Sequence, residues 1–139
     1  LISVPTLELL AVPVLLEHDI EEDSLLCPML DARRMEVYSG IYDRALKEVR
    51  QVQADIVDGC TYSGYLDKCK MYFFGNGACK CMGTINHPNA MLIKDIKPLA
   101  RYMFPLAEKR MAEEMFEDVA YFVPFYLKDF VAKTPKKLL

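Results

Sequence analysis

The chain has 139 residues, 53% of them hydrophobic and 27% charged. That balance suits one globular domain and excludes both a disordered chain and a membrane-spanning one. With 17 Lys and Arg against 20 Asp and Glu the net charge is −3, which offers no overall attraction for nucleic acid.

The chain opens on Leu1 rather than Met, and apolar sequence begins at once. A bulky Leu after an initiator Met would not favour its removal, so the sequence reads as part of a longer protein. Leu1 to Leu16 lacks a basic leader, carries Glu8 and holds Pro5 and Pro13, which sets aside a signal peptide. Pro5 suits the first turn of a helix, and Leu7, Leu10, Val14 and Leu15 form its apolar stripe. Pro13 falls inside that stripe and removes one backbone bond, so the helix is expected to kink or to stop near Val12. An acidic connector, His18 to Asp23, follows, with His18 as an exposed turn residue.

The apolar run Leu25 to Leu30 predicts a strand buried on both faces. The polar knot Asp31-Ala32-Arg33-Arg34 then gives way to alternation. Met35, Val37, Ser39 and Ile41 point one way, and Glu36, Tyr38, Gly40 and Tyr42 the other, as in a strand with one face on the core. Asp31 can cap its own turn and the two arginines prefer water, so a hairpin is expected with Arg33 and Arg34 exposed at its tip. Leu46 to Val57 fits both a helix and a strand, and periodicity alone leaves the two open.

Thr61 to Lys68 predicts a helix of two turns, Met71 to Phe74 a strand, and Ala78 to Gly83 a helix after the turn Gly75-Asn76-Gly77. Ala90 to Ile93 reads as a short strand. From Pro98 onward, Leu99, Tyr102, Met103, Leu106, Met111 and Met115 mark a long helix with a bend at Pro105. The tail Val119 to Ala132 is aromatic and extended; Tyr121, Phe122, Phe125, Tyr126 and Phe130 are expected to pack in part on the strands or the long helix. Lys133, Lys136 and Lys137 form the only basic cluster and read as a solvated end.

The stretch D-A-R-R-M-E-V-Y from Asp31 to Tyr38 resembles the TsaB (YeaZ) family, the bacterial scaffold of the machinery that makes threonylcarbamoyladenosine (t6A) in tRNA, formerly termed glycoprotease-like. Val4 to Leu10, Phe73 to Ala78 and Pro124 to Lys128 extend the resemblance over essentially the whole chain. It covers the second, C-terminal half of that family, so residues 1–139 are expected to be a single domain corresponding to that half. The resemblance decides the open stretch as a third antiparallel strand. It implies an α/β fold of the ribonuclease-H-like type, in the actin-like ATPase superfamily. Three antiparallel strands are followed by alternating helices and strands, with a helix before them and an extended tail after. It further implies a cytoplasmic, non-catalytic scaffold role without a cofactor. The expected partners of the intact protein are a TsaD-type catalytic subunit and a TsaE-type ATPase. No direct nucleic-acid contact and no membrane are implied, and the chain itself is expected to self-associate weakly. The residues matching the family signature are Asp31, Arg33, Arg34, Glu36 and Tyr38. Gly75, Asn76 and Gly77 match a turn that lines the nucleotide cleft in kinase and actin relatives.

Other chemistry has weaker support in the residues. Asp31 and Glu36 could approach each other as a metal-holding carboxylate pair in a glycoprotease-like or other metal-dependent hydrolase. Arg33 and Arg34 sit between them, and an ion-paired turn is the simpler account. His18 and His87 are too far apart in sequence to read as a paired metal motif. Cys69, Cys79 and Cys81 lack zinc-finger spacing and read as ordinary thiols, with Cys27 a buried filler. Gly75-Asn76-Gly77 carries no cation and reads first as a tight turn, second as a phosphate cradle. The five cysteines suit a reducing compartment.

Overall fold

Six consecutive apolar residues cannot leave either side of a strand in water, and the fold covers both. In the computed structural model, which describes residues 1–128, they lie in β1 (Leu25–Asp31), the middle strand of a five-stranded sheet. β2 (Glu36–Tyr42) pairs antiparallel with β1, and β3 (Glu48–Ile56) antiparallel with β2. On the other side β4 (Met71–Phe74) pairs parallel with β1 and β5 (Ala90–Leu92) parallel with β4, giving the order β3-β2-β1-β4-β5. The long open stretch is therefore a strand, and the sequence of helices and strands is the expected one.

Helix α1 (Thr6–Glu17) covers one face, setting Leu7, Leu10, Ala11 and Val14 against Leu26, Tyr42, Tyr72 and Phe74. The single turns α2 (Ser63–Leu66) and α3 (Ala78–Cys81) cover the other, packing Leu66, Ala78 and Cys81 with Cys27, Met29, Val37, Ile41 and Phe73. Each large side chain so buried contributes about 1.5–3 kcal/mol. The alternation in β2 holds, but both its faces are covered from Ser39 to Tyr42, because α1 lies over the side expected to face water. Among the described residues no helix is long and apolar enough to cross a membrane.

Pro28 lies inside β1 and has no N–H to give to the ladder. The β1–β2 register places it opposite Gly40, where the pairing is interrupted between Leu26↔Tyr42 and Met29↔Ser39. The proline thus occupies the one place where β2 has no side chain and makes no pair with β1.

Several expectations change. α1 runs through Pro13 to Glu17 instead of stopping near Val12. It is buried on two sides, with Leu9 and Val12 against Tyr102 and Leu106, and that packing outweighs one lost backbone bond. α2 and α3 are each one turn, shorter than expected. The long helix is a 3-10 turn at Ala100–Tyr102 followed by α4 (Met103–Ala112). Pro105 lies in the first turn of α4, where an N–H has no helical acceptor, so it suits the start of a helix rather than a bend in it. Leu99, Met111 and Met115 are exposed and mark no core stripe. β2 begins at Glu36, one residue after Met35.

Gly75 has φ +96°, and a Cβ there would stand 2.4 Å from the Met29 carbonyl oxygen. Gly64, in α2, has open space around it. Gly75→Ala should therefore destabilise the protein by more than about 1 kcal/mol, whereas Gly64→Ala should stabilise it by about 0.5–1 kcal/mol. Urea unfolding of both variants checks this, and similar effects at the two positions would contradict it.

Candidate functional site

Parallel pairing of β1 with β4 brings the two sequence motifs together. The polar knot leaves the end of β1 beside the glycine turn that leaves β4. In the knot, Arg33 and Arg34 both have positive φ (82° and 47°) and are exposed, as expected. Asp31 Oδ1 accepts the Arg33 N–H at 3.0 Å, and the Ala32 N–H donates to the Glu36 carbonyl at 3.1 Å, closing the hairpin. From the glycine turn, Asn76 Oδ1 accepts the Asp31 N–H at 2.9 Å and the Gly77 N–H donates to Met29 at 3.1 Å. A Cβ at Gly77 would meet the Asp31 nitrogen at 3.0 Å, so the second glycine permits the close approach. Ala78 donates its N–H to Gly75 at 3.2 Å, so two amides of the turn are already engaged within the chain.

The acids of the hairpin have cationic partners, but not the expected ones. Lys80, on α3, pairs with Asp31 and also donates to the Glu36 carbonyl oxygen at 2.8 Å. Lys128 pairs with the Glu36 carboxylate. The neighbouring arginines turn to solvent because both backbones are in the left-handed region, and cations distant in sequence take their place. The Lys80 hydrogen bond and the Arg33 N–H hold the Asp31 carboxyl below the usual carboxylate range. Tyr38 is half-buried beside a groove.

A second polar cluster, which the sequence reading did not single out, is buried under β2 and β3. Asp55 is 6% exposed and accepts hydrogen bonds from Arg50 Nη1 (3.0 Å) and Nη2 (2.6 Å), Gln53 Nε2 (2.8 Å), the Tyr62 hydroxyl (2.8 Å) and Ser39 Oγ. The Arg50 guanidinium also lies over the Tyr62 ring, 5.4 Å from its centroid. Burial raises the Asp55 pKa, but the donors, Arg50 and Ser39 foremost, outweigh it and hold the carboxyl low. Cys27 touches this cluster from β1, and burial pushes its thiol up to about 12. The visible signal was Ser39, the single polar member of the inward series in β2, whose buried hydroxyl demands a partner.

The remaining candidates are dispersed. His87 accepts the Asn89 N–H at Nδ1 (3.1 Å) and faces Asp67 through Nε2 (3.4 Å). His18 is exposed. Cys69 is half-buried, Cys79 exposed and Cys81 buried, and all are free thiols. Among the described residues no three His, Cys, Asp or Glu side chains gather as a metal site. A groove of about 930 Å³ lies between the start of α1, the strands at Tyr38, Tyr42 and Val52, and residues 122–127. Phe122, Phe125 and Tyr126 border it beside the strands, with Phe122 37% and Phe125 78% exposed, so the described part of the aromatic tail lines the groove with most of its aromatic surface in water. Phe130 and the lysines at 133, 136 and 137 lie outside the described residues.

The fold is a mixed α/β sheet flanked by helices. It is similar to a crystal structure of an uncharacterized protein with similarity to peptidase YEAZ from Pseudomonas aeruginosa, with a TM-score of 0.72 at 20% identity. The match covers 90% of this chain and 57% of that one. The chain thus has a YeaZ-like fold and spans little more than half the length of that neighbour. No family model and no curated protein matches the sequence.

Asp55→Ala leaves the Arg50 charge half-enclosed without its partner and should cost about 3–5 kcal/mol, measured by denaturant unfolding. The folded pKa of Asp55 lies below its unfolded value of 3.8. Its contribution is therefore fully present above the unfolded value and is lost as pH falls through the folded one. Asp55→Asn should lack that part of the acid limb; an unchanged acid limb would show that Asp55 does not carry it.

For the hairpin, Lys80→Met removes the main cause of the Asp31 shift. The Asp31 carboxyl should then titrate at higher pH, followed by NMR of its side-chain carbon. An unmoved titration would mean that Lys80 does not hold Asp31 in solution.

Proposed function

We propose that the chain is the second-half module of a TsaB-like scaffold, a ribonuclease-H-like unit in the bacterial t6A machinery. The observation that carries the reading is the YeaZ-like fold over 90% of the chain, reached where the residues around Asp31 and Gly75 already resemble that family. The carboxylates at Asp31 and Glu36 support a structural role, because each is engaged by a lysine that closes the hairpin onto α3 or onto the end of the described chain. In this reading the partners are a TsaD-type catalytic subunit and a TsaE-type ATPase, and the module supplies shape rather than chemistry.

Reconstitution tests it. Joined to the first half of a TsaB-type protein, the chain should support t6A formation by the TsaD-type subunit and its ATPase. On its own, with zinc or magnesium, it should cleave neither glycoprotein nor nucleic acid. Hydrolysis that follows the protein through purification and vanishes in Asp31→Asn would replace the scaffold with a hydrolase.

A further inference from the structure

Helix α4 has apolar side chains on two opposite faces, and the described residues cover only one of them. Tyr102 and Leu106 pack on Leu9 and Val12 of α1, and on the same side Arg110 reaches Glu8 at 2.9 Å. A helix turns about 100° per residue, so Phe104 and Met111, seven apart, fall within about 20° of each other and roughly opposite Leu106. They are 66% and 58% exposed, and Met115 and Phe116, beyond the helix end, are exposed as well at 54% and 60%. An amphipathic helix facing water has no reason to carry this second stripe. Methionine side chains, unbranched and polarisable, adapt to a partner surface.

Charge decides what the face would accept. Glu108 stands between Phe104 and Met111 on it, and Glu113 and Glu114 follow at the end that already carries the negative pole of the helix. Pairing α4 with a second copy about a two-fold axis through its middle would bring Glu108 against its own image, which is repulsive. A helix with apolar residues at every third and fourth position and a Lys or Arg opposite Glu108 satisfies both the stripe and the charge. We propose that the outer face of α4 docks a basic amphipathic helix of a partner protein.

The test uses two labelled helical peptides of identical leucine pattern, one with lysine and one with glutamate at the polar positions, titrated with the whole chain by fluorescence anisotropy. The lysine peptide should bind saturably and the glutamate peptide about tenfold or more weakly. The double variant Phe104→Ser, Met111→Ser should lose binding with its melting transition retained, since both side chains are exposed. Glu108→Lys should reverse the preference, and Phe125→Ala, in the separate groove, should change nothing. Equal affinity for the two peptides, no saturable binding, or loss on Phe125→Ala alone would overturn the proposal. So would sedimentation showing a dimer that dissociates in the Phe104 and Met111 variant.

Discussion

The two-sided burial of β1 is the constraint from which the rest of the architecture follows. A strand with no face for water must have a neighbour on each edge and a layer on each side. β2 and β4 supply the edges, α1 one layer, and the turns α2 and α3 with Tyr62 the other. Antiparallel pairing with β2 needs only a tight hairpin, whereas parallel pairing with β4 needs a crossover, and residues 57–70 provide it. The hairpin tip and the glycine turn become neighbours because both leave the sheet from the same ends of β1 and β4. Even Pro28, which would argue against a central strand, is admitted by the absence of a side chain at Gly40 on the facing strand.

What could be read from the sequence was whatever a local pattern determines. The hairpin was legible because an apolar run, a turn residue and a strict alternation follow in order at Leu25 to Tyr42. The Asp55 cluster was not, and the reason lies in β3. Arg50 and Asp55 are five residues apart, so a regular strand would send them to opposite faces. The pairing of β3 with β2 shifts between Ser39↔Gln53 and Ile41↔Arg50, where β3 uses one residue more than β2. That bulge turns Arg50 onto the face of Asp55, and the chain acquires a buried ion pair that no periodicity announces. Beyond the bulge the register is regular and sets Asp55 opposite Val37 on the inward face and Ile56 opposite Glu36 on the other, so Ile56 is 75% exposed while Asp55 is buried, against the apolar order of the segment. For the hairpin acids, sequence proximity pointed to Arg33 and Arg34, but positive φ at both carries them outward and leaves Asp31 to a lysine brought in by α3.

The two acidic clusters hold the fold by different means. Asp55 is surrounded by donors in a dry place, where each hydrogen bond is strong and each missing partner costly. Asp31 is exposed and gains from geometry rather than from low dielectric: its carboxylate receives its own turn and a lysine from a separate element. In both, the shift is downward, which keeps the group ionised and ready to accept. A carboxyl tuned for general-acid work is driven the other way, by burial without donors. That contrast sets both groups apart from a general acid.

The apolar residues divide along the chain in a way that composition conceals. Up to Phe74 nearly every large apolar side chain is inside the sheet layers or packed on them, whereas from Leu99 to Tyr126 most are exposed. A helix such as α4 cannot turn both its stripes to the same sheet, because Leu106 and Phe104 diverge by about 160–200° around its axis. Burial of Leu106 on α1 therefore commits Phe104 and Met111 to the outside. The hydropathy of this segment is then a statement about surfaces rather than about the core, since an interface and an interior are built from the same side chains. The acidic residues interleaved in it, Glu108 above all, are what separate the two, for a core position would not carry between a phenylalanine and a methionine a carboxylate that has no cation beside it among the described residues.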